Sequence, residues 1–312
     1  MRHFITESDI TPNEIPELLA MARSFKTHRG GSTPPTLQGQ SWGMLFFKSS
    51  TRTRISFDVG IHELGGHPVE LDVSRMQLGR GESIADTARI LSGYLHGLVI
   101  RCFEHSVLEE FAQWGTIPVV NALSDFNHPC QIFADAFSIA EAIDPDAPRL
   151  EELLKGKRLV YFGDTNSNMA HSWMLASASF GLQVVLSGPE SFAPDASSQE
   201  AAKQAGASST WCFEPDPAKA IEGADIVYTD VWASMGQEEE KAERSLIMAP
   251  YQVNTQLMSQ ARPDARFMHC LPAYPGMEVT QEVLDSPQSI IWPQAENRLH
   301  MQKAILSTLV GF

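Results

Sequence analysis

Hydroxyl and guanidinium side chains crowd the point where an apolar run gives way to a helical pattern. They are Ser50, Thr51, Arg52, Thr53 and Arg54. Residues 43–47 predict a buried strand, and Phe57, Ile61 and Leu64 recur at the spacing of one helix face. Such a turn directs unpaired backbone N–H groups and the helix dipole at one point, and arginine adds planar bidentate donors. The turn predicts a phosphate site, with a helix cap carrying solvent-facing arginines as the alternative.

Polar residues that follow the other apolar runs are the next candidates, because ligands of open α/β sheets bind outside the carboxyl ends of the strands. Arg101 ends an apolar strand, where an arginine that only covers apolar surface with its stem is the alternative. Pro129 indicates a helix start, which puts His128 at a helix N-terminus with Gln131 in the first turn. We expect a lowered pKa for His128 and a neutral imidazole that donates to a carbonyl, with a helix cap or a packed polar residue as the alternative.

The second half of the chain offers a different chemistry. Asp230 and Ser234 stand near a turn glycine, and a carboxylate with a hydroxyl suits the ammonium and carboxylate groups of an amino acid. A capping turn is the alternative. Cys270 is either a reactive thiol or a small buried hydrophobe. A Cys–His nucleophile with His269 is disfavoured because neighbours on a strand point to opposite faces. The polar segment 230–241 is interpreted as a lid.

Short apolar runs alternate with helical periodicities along the chain, which predicts parallel sheets wrapped by helices. A length of 312 residues exceeds one ordinary core and indicates two domains. The Pro- and Asp-rich stretch near residue 145 predicts a boundary between a first domain, 1–145, and a second, 146–292. We therefore predict an α/β fold of two doubly wound parallel-sheet domains, with a C-terminal helix in 293–312 that packs back on the first domain.

Composition limits the partners. The formal net charge of −15 argues against nucleic acid and anionic membranes, which attract basic faces, so local arginines must hold an anionic substrate. No apolar run approaches the length of a membrane span, and the early acidic residues predict a cytoplasmic protein. The cysteines at 102, 130, 212 and 270 form no CxxC pair, so we expect reduced thiols and neither a zinc site nor a disulfide framework.

Separated motifs over almost the whole chain resemble those of the aspartate/ornithine carbamoyltransferase family, in the family's order. They are Ser-Thr-Arg-Thr-Arg at 50–54, Asp-Thr-Ala-Arg at 86–89, His-Pro-x-Gln at 128–131, Asp-x-x-x-Ser-Met-Gly at 230–236, His-Cys-Leu-Pro at 269–272 and Ala-Glu-Asn-Arg at 295–298. The resemblance implies a homotrimer, or a multiple of trimers, with sites at subunit interfaces. It implies transfer of the carbamoyl group of carbamoyl phosphate to the δ-amine of L-ornithine, giving L-citrulline and phosphate. We expect this chemistry to use neither a metal nor a cofactor.

The resemblance also implies roles for individual residues. Contacts to carbamoyl phosphate are implied for Ser50, Thr51, Arg52, Thr53, Gln77, Arg101, His128, Gln131, Cys270, Leu271 and Arg298. The implied catalytic residues are Arg101, His128, Cys270 and Arg298. Gln77 matches a position that reaches the phosphate of a neighbouring subunit in similar enzymes. Contacts to ornithine are implied for Asn168, Asp230, Ser234 and Met235.

Other functions stay open on the sequence. A carbamoyltransferase for putrescine or an acylated ornithine is the nearest, although putrescine lacks the α-carboxylate that Asn168 and the Ser-Met-Gly turn suit. Residues 273–276 and Ser167 depart from the family pattern and bear on the acceptor. A nicotinamide-dependent dehydrogenase is disfavoured because residues 163–168 lack GxGxxG. A noncatalytic amino-acid-binding protein is disfavoured by the phosphate turn.

Overall fold

The computed structural model describes residues 2–78, 81–232 and 241–311. Contacts within the chain divide it into two compact units, Met1–Phe137 with Glu296–Phe312, and Ser138–Ala295. Each unit is built on one parallel sheet, so the predicted α/β class is confirmed.

The first unit has a four-stranded sheet in the order β2-β1-β3-β4. Its strands are β1 (Ser41–Phe46), β2 (His67–Leu71), β3 (Gly97–Arg101) and β4 (Val119–Leu123). Its helices are α1 (Ile15–Thr27), α2 (Thr51–Glu63), α3 (Ile84–Ser92), α4 (Ser106–Trp114) and α5 (Pro129–Ile143), with short 3-10 helices at Glu7–Asp9 and Val73–Arg75. The end of α5, from Ser138, counts with the second unit.

The second unit has a five-stranded sheet in the order β7-β6-β5-β8-β9. Its strands are β5 (Arg158–Phe162), β6 (Gln183–Ser187), β7 (Trp211–Phe213), β8 (Ile226–Thr229) and β9 (Arg266–His269). Its helices are α6 (Asn168–Phe180), α7 (Ala196–Gln204), α8 (Pro217–Ala220), α9 (Lys241–Met248), α10 (Thr255–Met258) and α11 (Gln281–Leu284), with 3-10 helices at Leu150–Leu153, Glu190–Phe192 and Ala249–Tyr251.

The strand order reverses beside the first strand of each sheet. In the first unit β1 lies between β2 and β3, and in the second unit β5 lies between β6 and β8. Such a reversal leaves a crevice at the carboxyl ends of the two strands, where open α/β sheets bind ligands. The residues after β1 and β3, and those after β5 and β8, are therefore the ones the fold presents for binding.

Close packing in the first sheet depends on glycine. Trp42 of β1 is fully buried against β3, where a β-carbon at Gly97 would lie 2.4 Å from the indole ring. Only glycine fills that position without displacing the ring. The pairing of β1 with β3 in turn sets the ends of both strands side by side, since Phe47 donates its N–H to the carbonyl of Arg101 at 2.8 Å.

The last helix, α12 (Ile291–Leu309), carries the chain back to the first unit, as predicted. Lys303 is fully buried and its Nζ lies 2.6 Å from a carboxylate oxygen of Glu63 at the end of α2. Lys26 of α1 donates to the side-chain oxygen of Asn297 at 2.8 Å. Polar contacts therefore hold α12 against both helices.

Each unit has its own apolar core. Leu45, Leu98 and Phe111 are fully or almost fully buried in the first, and Val160 and Phe267 in the second. Across the described ranges, we find no helix whose length and hydrophobicity suffice to cross a membrane.

Candidate active site

The turn between β1 and α2 has the geometry that the sequence predicts. Ser50 is the N-cap of α2, and its hydroxyl accepts the backbone N–H of Thr53 at 3.2 Å. Thr51 and Arg52 in the first helical turn are exposed, whereas Thr53 is fully buried. The hydroxyls and the helix N-terminus therefore stand at the carboxyl end of β1. Phosphate binding at this turn stays a prediction.

Arg298 reaches this turn from the far end of the sequence. Its Nη2 donates to the hydroxyl of Thr53 at 2.6 Å, and the side chain is buried. The two residues are 245 positions apart, so no local pattern could reveal the contact. Only the family resemblance pointed to Arg298. The structure thus adds a second buried guanidinium to the one at the end of β3.

His128 lies directly before α5, as predicted, and is buried. Burial is the main cause that holds its pKa well below the ordinary value, and the charges of Arg298 and Arg101 lower it further. The predicted direction of the pKa shift is confirmed, with desolvation and the two arginines as its causes. We call Thr53, Arg101, His128 and Arg298 the basic cluster.

Gln131 occupies the first turn of α5, one turn beyond His128. Its backbone N–H donates to the carbonyl of His128 at 3.0 Å, and its side chain is buried. The side-chain amide donates from Nε2 to Oδ1 of Asp135 at 2.8 Å. The structure therefore places this predicted carbamoyl contact in the same buried region as His128.

A cleft of about 950 Å³ opens at the carboxyl ends of β1 and β2. Ser49, Ser50, Thr51 and Arg54 line it. Arg54 is exposed and its guanidinium lies 2.8 Å from the carboxylate of Glu70. Gln77 is exposed beyond β2, and its contact with a neighbouring subunit stays a prediction.

In the second unit the predicted acceptor residues follow β5 and β8. Asn168 is the first residue of α6, behind the N-cap Ser167. Oδ1 of Asp230 accepts the backbone N–H of Val231 at 2.7 Å and the thiol of Cys270 at 3.0 Å. The structure therefore brings Asp230 and Cys270 together from two neighbouring strands. Ser234 and Met235, and most of the predicted lid, lie outside the described residues.

Two opposing effects act on the pKa of Asp230. Loss of solvation raises the pKa of its carboxyl group above the ordinary value. The nearby His269 and the hydrogen bond from Cys270 lower the pKa and offset part of this effect. A cationic amine beside Asp230 would lower it further, so this carboxylate is suited to a positively charged ligand.

Asp230, His269 and Cys270 offer potential metal-ligand atoms within 4.8 Å of one another. Nδ1 of His269 accepts the backbone N–H of Leu271 at 2.8 Å, which leaves Nε2 to donate to Glu278 at 3.2 Å. Both ring nitrogens are thus in use, and the imidazole has no lone pair for a metal or for the Cys270 thiol. Cys270 lies beyond the end of β9, so the expectation that it and His269 point to opposite strand faces was wrong. A Cys–His nucleophile is still disfavoured, because both ring nitrogens of His269 are already hydrogen-bonded.

Leu271 is the one non-glycine residue of the described ranges with a positive φ, at 59°. This backbone region strains residues that carry a β-carbon, and such strain is concentrated at functional sites. The hydrogen bond from its N–H to His269 holds the conformation. The carbonyl of Leu271 is the group that the resemblance assigns to the carbamoyl nitrogen.

Sequence reasoning missed two acidic partners of site residues. Asp135 follows Gln131 by four positions on one helix, and this spacing was an available signal. Glu278 contacts His269 across an irregular connection, so the sequence holds no local signal for it.

A buried basic cluster beside one parallel sheet and a separate acceptor-type site beside another are typical of a two-domain group-transfer enzyme. Comparison with family models agrees. The aspartate/ornithine carbamoyltransferase carbamoyl-P binding domain matches residues 2–141, and the Asp/Orn binding domain of the same family matches residues 155–309. The chain belongs to the aspartate/ornithine carbamoyltransferase family.

Individual relatives match over nearly their full length. The chain is 47% identical to the anabolic ornithine carbamoyltransferase of Pyrococcus furiosus, over 99% of this chain and 96% of that one. It is 46% identical to the ornithine carbamoyltransferase of Thermococcus kodakarensis, with the same coverages of 99% and 96%. The solved ornithine carbamoyltransferase of P. furiosus superposes with a TM-score of 0.88 at 45% identity, over 98% of this chain and 96% of that one. The anabolic enzyme of Campylobacter jejuni superposes with a TM-score of 0.89 at 33% identity, over 99% of both chains.

Proposed function

We propose that this protein transfers the carbamoyl group of carbamoyl phosphate to the δ-amine of L-ornithine, giving L-citrulline and phosphate, as a step of arginine biosynthesis. The observation that carries the proposal is the basic cluster, in which two buried guanidinium groups act on a neutral imidazole. The names of the similar proteins support the choice of ornithine as the acceptor.

The phosphate end of the substrate binds at the start of α2. Ser50, Thr51, Arg52 and Thr53 supply hydroxyls, a guanidinium and backbone N–H groups at a helix N-terminus. Arg298 is directed to the same turn by its hydrogen bond to Thr53. A permanent positive charge held this way stabilises the phosphate as it departs with its negative charge.

The carbonyl oxygen is polarised by Arg101 and His128. A neutral imidazole donates one N–H bond, and the depressed pKa keeps His128 in that form at neutral pH. Arg101 contributes a permanent charge at the end of β3. The carbamoyl nitrogen donates to Gln131 and to the carbonyl of Leu271.

The amino-acid acceptor binds beside the second sheet. We assign its α-amino and α-carboxylate groups to Asn168, Asp230, Ser234 and Met235, and its side-chain amine to the neighbourhood of Cys270. The partial burial of Asp230, its raised pKa and its contact with Cys270 support this assignment. We propose 1–145 with 293–312 as the carbamoyl phosphate domain and 146–292 as the ornithine domain.

The reaction itself needs little covalent help from the protein. The neutral δ-amine attacks the carbonyl carbon, the C–N bond forms, and the negative charge gathers on the carbonyl oxygen in a tetrahedral intermediate. Reformation of the carbonyl breaks the C–O bond to the phosphate, and the departing phosphate takes up the proton that the nitrogen loses. Positioning and preorganised donors to the oxyanion account for the catalysis.

Citrulline formation tests the function. We expect purified protein to carbamoylate ornithine and to leave putrescine, acylated ornithine and aspartate unreacted when each is offered with carbamoyl phosphate. Turnover of one of the other amines with ornithine inert would replace the proposed acceptor. Absence of calorimetric binding of carbamoyl phosphate to folded protein would contradict the proposal altogether.

We further propose that the active form is a homotrimer, or a multiple of trimers, in the cytoplasm. The exposure of Gln77 fits a residue that reaches into a neighbouring subunit, and the four cysteines, which form no disulfide in the structure, fit a reducing compartment. Sedimentation at working concentration is expected to give a mass of three chains or a multiple. A monomer with full activity would contradict the assembly.

A further inference from the structure

Gln131 and Asp135 form a buried pair on one face of α5. The amide Nε2 donates to the carboxylate at 2.8 Å, and the two side chains are 1% and 0% exposed. In this hydrogen bond the N–H end of the amide donates and a carboxyl oxygen accepts, so the bond fixes which end of the amide faces Asp135. A glutamine without such a partner presents either its oxygen or its nitrogen by a simple rotation.

The oxygen end of this amide, Oε1 of Gln131, indicates what the site binds. Oε1 of Gln131 is buried and accepts no hydrogen bond from any residue that the structure describes. Burying an acceptor without a donor costs free energy, so such an atom indicates a donor supplied from elsewhere. Gln131 lies one turn from His128, so the donor belongs to a ligand of the basic cluster.

We propose that Asp135 is a positioning residue that sets the chemical selectivity of the acyl phosphate site. By holding Nε2, it locks Oε1 of Gln131 as an acceptor for the amino group on the carbonyl carbon. The site then selects acyl phosphates that carry an amino group over those that carry a methyl group, which would leave Oε1 buried and unpaired. The inference rests on the proposed function, which assigns the carbamoyl nitrogen to Gln131.

Two stable phosphonates isolate this effect from turnover. Phosphonoacetamide carries the amino group, and 2-oxopropylphosphonate carries a methyl group in its place. We expect calorimetry on the unaltered protein to show a preference for the amide on the order of tenfold or more. Because the two ligands share the phosphonate and the carbonyl, the ratio of their dissociation constants reports only on the amino group.

Asp135→Leu removes the acceptor, so the Gln131 amide is no longer held. The preference should fall by about three- to tenfold, the cost of ordering one side chain on binding. Asp135→Asn keeps the shape and can face Gln131 with either end, so it should give a smaller fall. If the leucine variant does not fold, the ratio measured for this isosteric variant tests the proposal instead.

The chain contains a matched control pair. Gln281 of α11 donates to Asp285, the C-cap of that helix, at 2.9 Å with the same spacing, but this pair is exposed and lies in the second unit. Asp285→Asn should leave the ratio unchanged. In a Gln131→Leu background, Asp135→Leu should have no further effect on the ratio, because the amide that Asp135 holds is absent. If Asp135 acted only through general packing, its replacement would alter binding in this background as well.

The outcomes separate the inference from the function. Tight binding of both phosphonates by the unaltered protein, with an unchanged ratio in both Asp135 variants, overturns the role of Asp135 and leaves the proposed function intact. An equal loss of affinity for both ligands overturns it as well, because it indicates a structural role. No binding of phosphonoacetamide or of carbamoyl phosphate to the unaltered protein overturns both proposals.

Discussion

The charge state of His128 follows from where it stands. Burial removes the water that would solvate an imidazolium, and Arg101 and Arg298 add like charges. Neither arginine could supply the negative charge that a protonated ring would need. The ring therefore stays neutral near neutral pH, where it donates a hydrogen bond and does not exchange a proton with the substrate.

Removal of His128 or Arg101 should impair catalysis rather than folding. We expect His128→Ala and Arg101→Ala each to lower turnover by ~10²–10³, the typical cost of losing one donor to a developing oxyanion. Citrulline formation measures the effect, and circular dichroism verifies the fold. His62→Ala, an exposed histidine on α2, is the control and should keep normal turnover. Near-normal rates for both site variants would remove these residues from the mechanism.

The pH profile should report on the substrate amine and not on His128. Since burial and the two arginines hold the pKa of His128 well below its ordinary value, its ring stays neutral at and above neutral pH, and its NMR signals should show no titration at about pH 6.5. Free ornithine must lose a proton to attack, so activity should rise towards alkaline pH. A His128 titration with a midpoint near its ordinary pKa would contradict this account.

At the scale of elements, α12 depends on a buried cation. Lys303 is inaccessible to solvent, lies 2.6 Å from the Glu63 carboxylate and stands 5.0 Å above the ring of Phe25. A buried ammonium that loses its carboxylate partner is strongly destabilising, although the partial exposure of Glu63 reduces the cost.

We expect Glu63→Gln to weaken the attachment of α12 by about 2 kcal/mol, after allowance for that exposure. Hydrogen exchange of the α12 amides should then be about 30-fold faster. Glu152→Gln removes an exposed ion pair with Lys155 of 2.9 Å and should leave the α12 amides unchanged. Unaltered exchange in α12 of the Glu63 variant would show that the pair does not hold the helix.

Elements whose signal is local were predictable. The central strands β1, β3 and β5 are continuous apolar runs because parallel strands are covered on both faces, and α5 begins at its proline as expected. The edge strand β7 has only three residues, none of them buried, and an apolar run of that length is too short to predict a strand. Short exposed strands are set by pairing with a neighbour, which a single segment does not reveal.

The features of the site that have a local sequence signal were predictable as well. The Ser50 cap and the position of His128 follow from strand ends and helix starts, which are sequence-local. The hydrogen bond from Arg298 to Thr53, and the contact of Glu278 with His269, depend on tertiary packing between distant segments. Residue types and spacing therefore locate the site, whereas its orientation requires the fold.

At the scale of the whole molecule, several wholly or partly buried histidines make folding sensitive to acid. The pKa values of His3, His105, His128 and His300 are all lowered, chiefly by burial. The unfolded chain therefore binds protons more readily than the folded chain below about pH 6.5. Their contribution to stability is present above that pH and is lost as the pH falls towards the folded values.

His300 permits a quantitative test, because burial and the charge of Lys303 lower its pKa to about 4. We expect the loss of unfolding free energy between about pH 7.5 and about pH 5 to be smaller by about 2 kcal/mol in His300→Gln. Urea titrations at both pH values measure this difference. His28→Gln, at an exposed position, is the control. An identical pH dependence in the His300 variant and the unaltered protein would contradict the depressed pKa.

The return of α12 to the first unit has a consequence for biosynthesis. The first 137 residues leave the ribosome long before Glu296 is translated, although both belong to one compact unit. The nascent chain therefore displays an incomplete sheet domain, without the guanidinium of Arg298, until α12 has been translated. A stop codon before α12 removes Arg298 together with the contacts of Asn297 and Lys303 to the first unit, so we expect the shortened chain to be inactive.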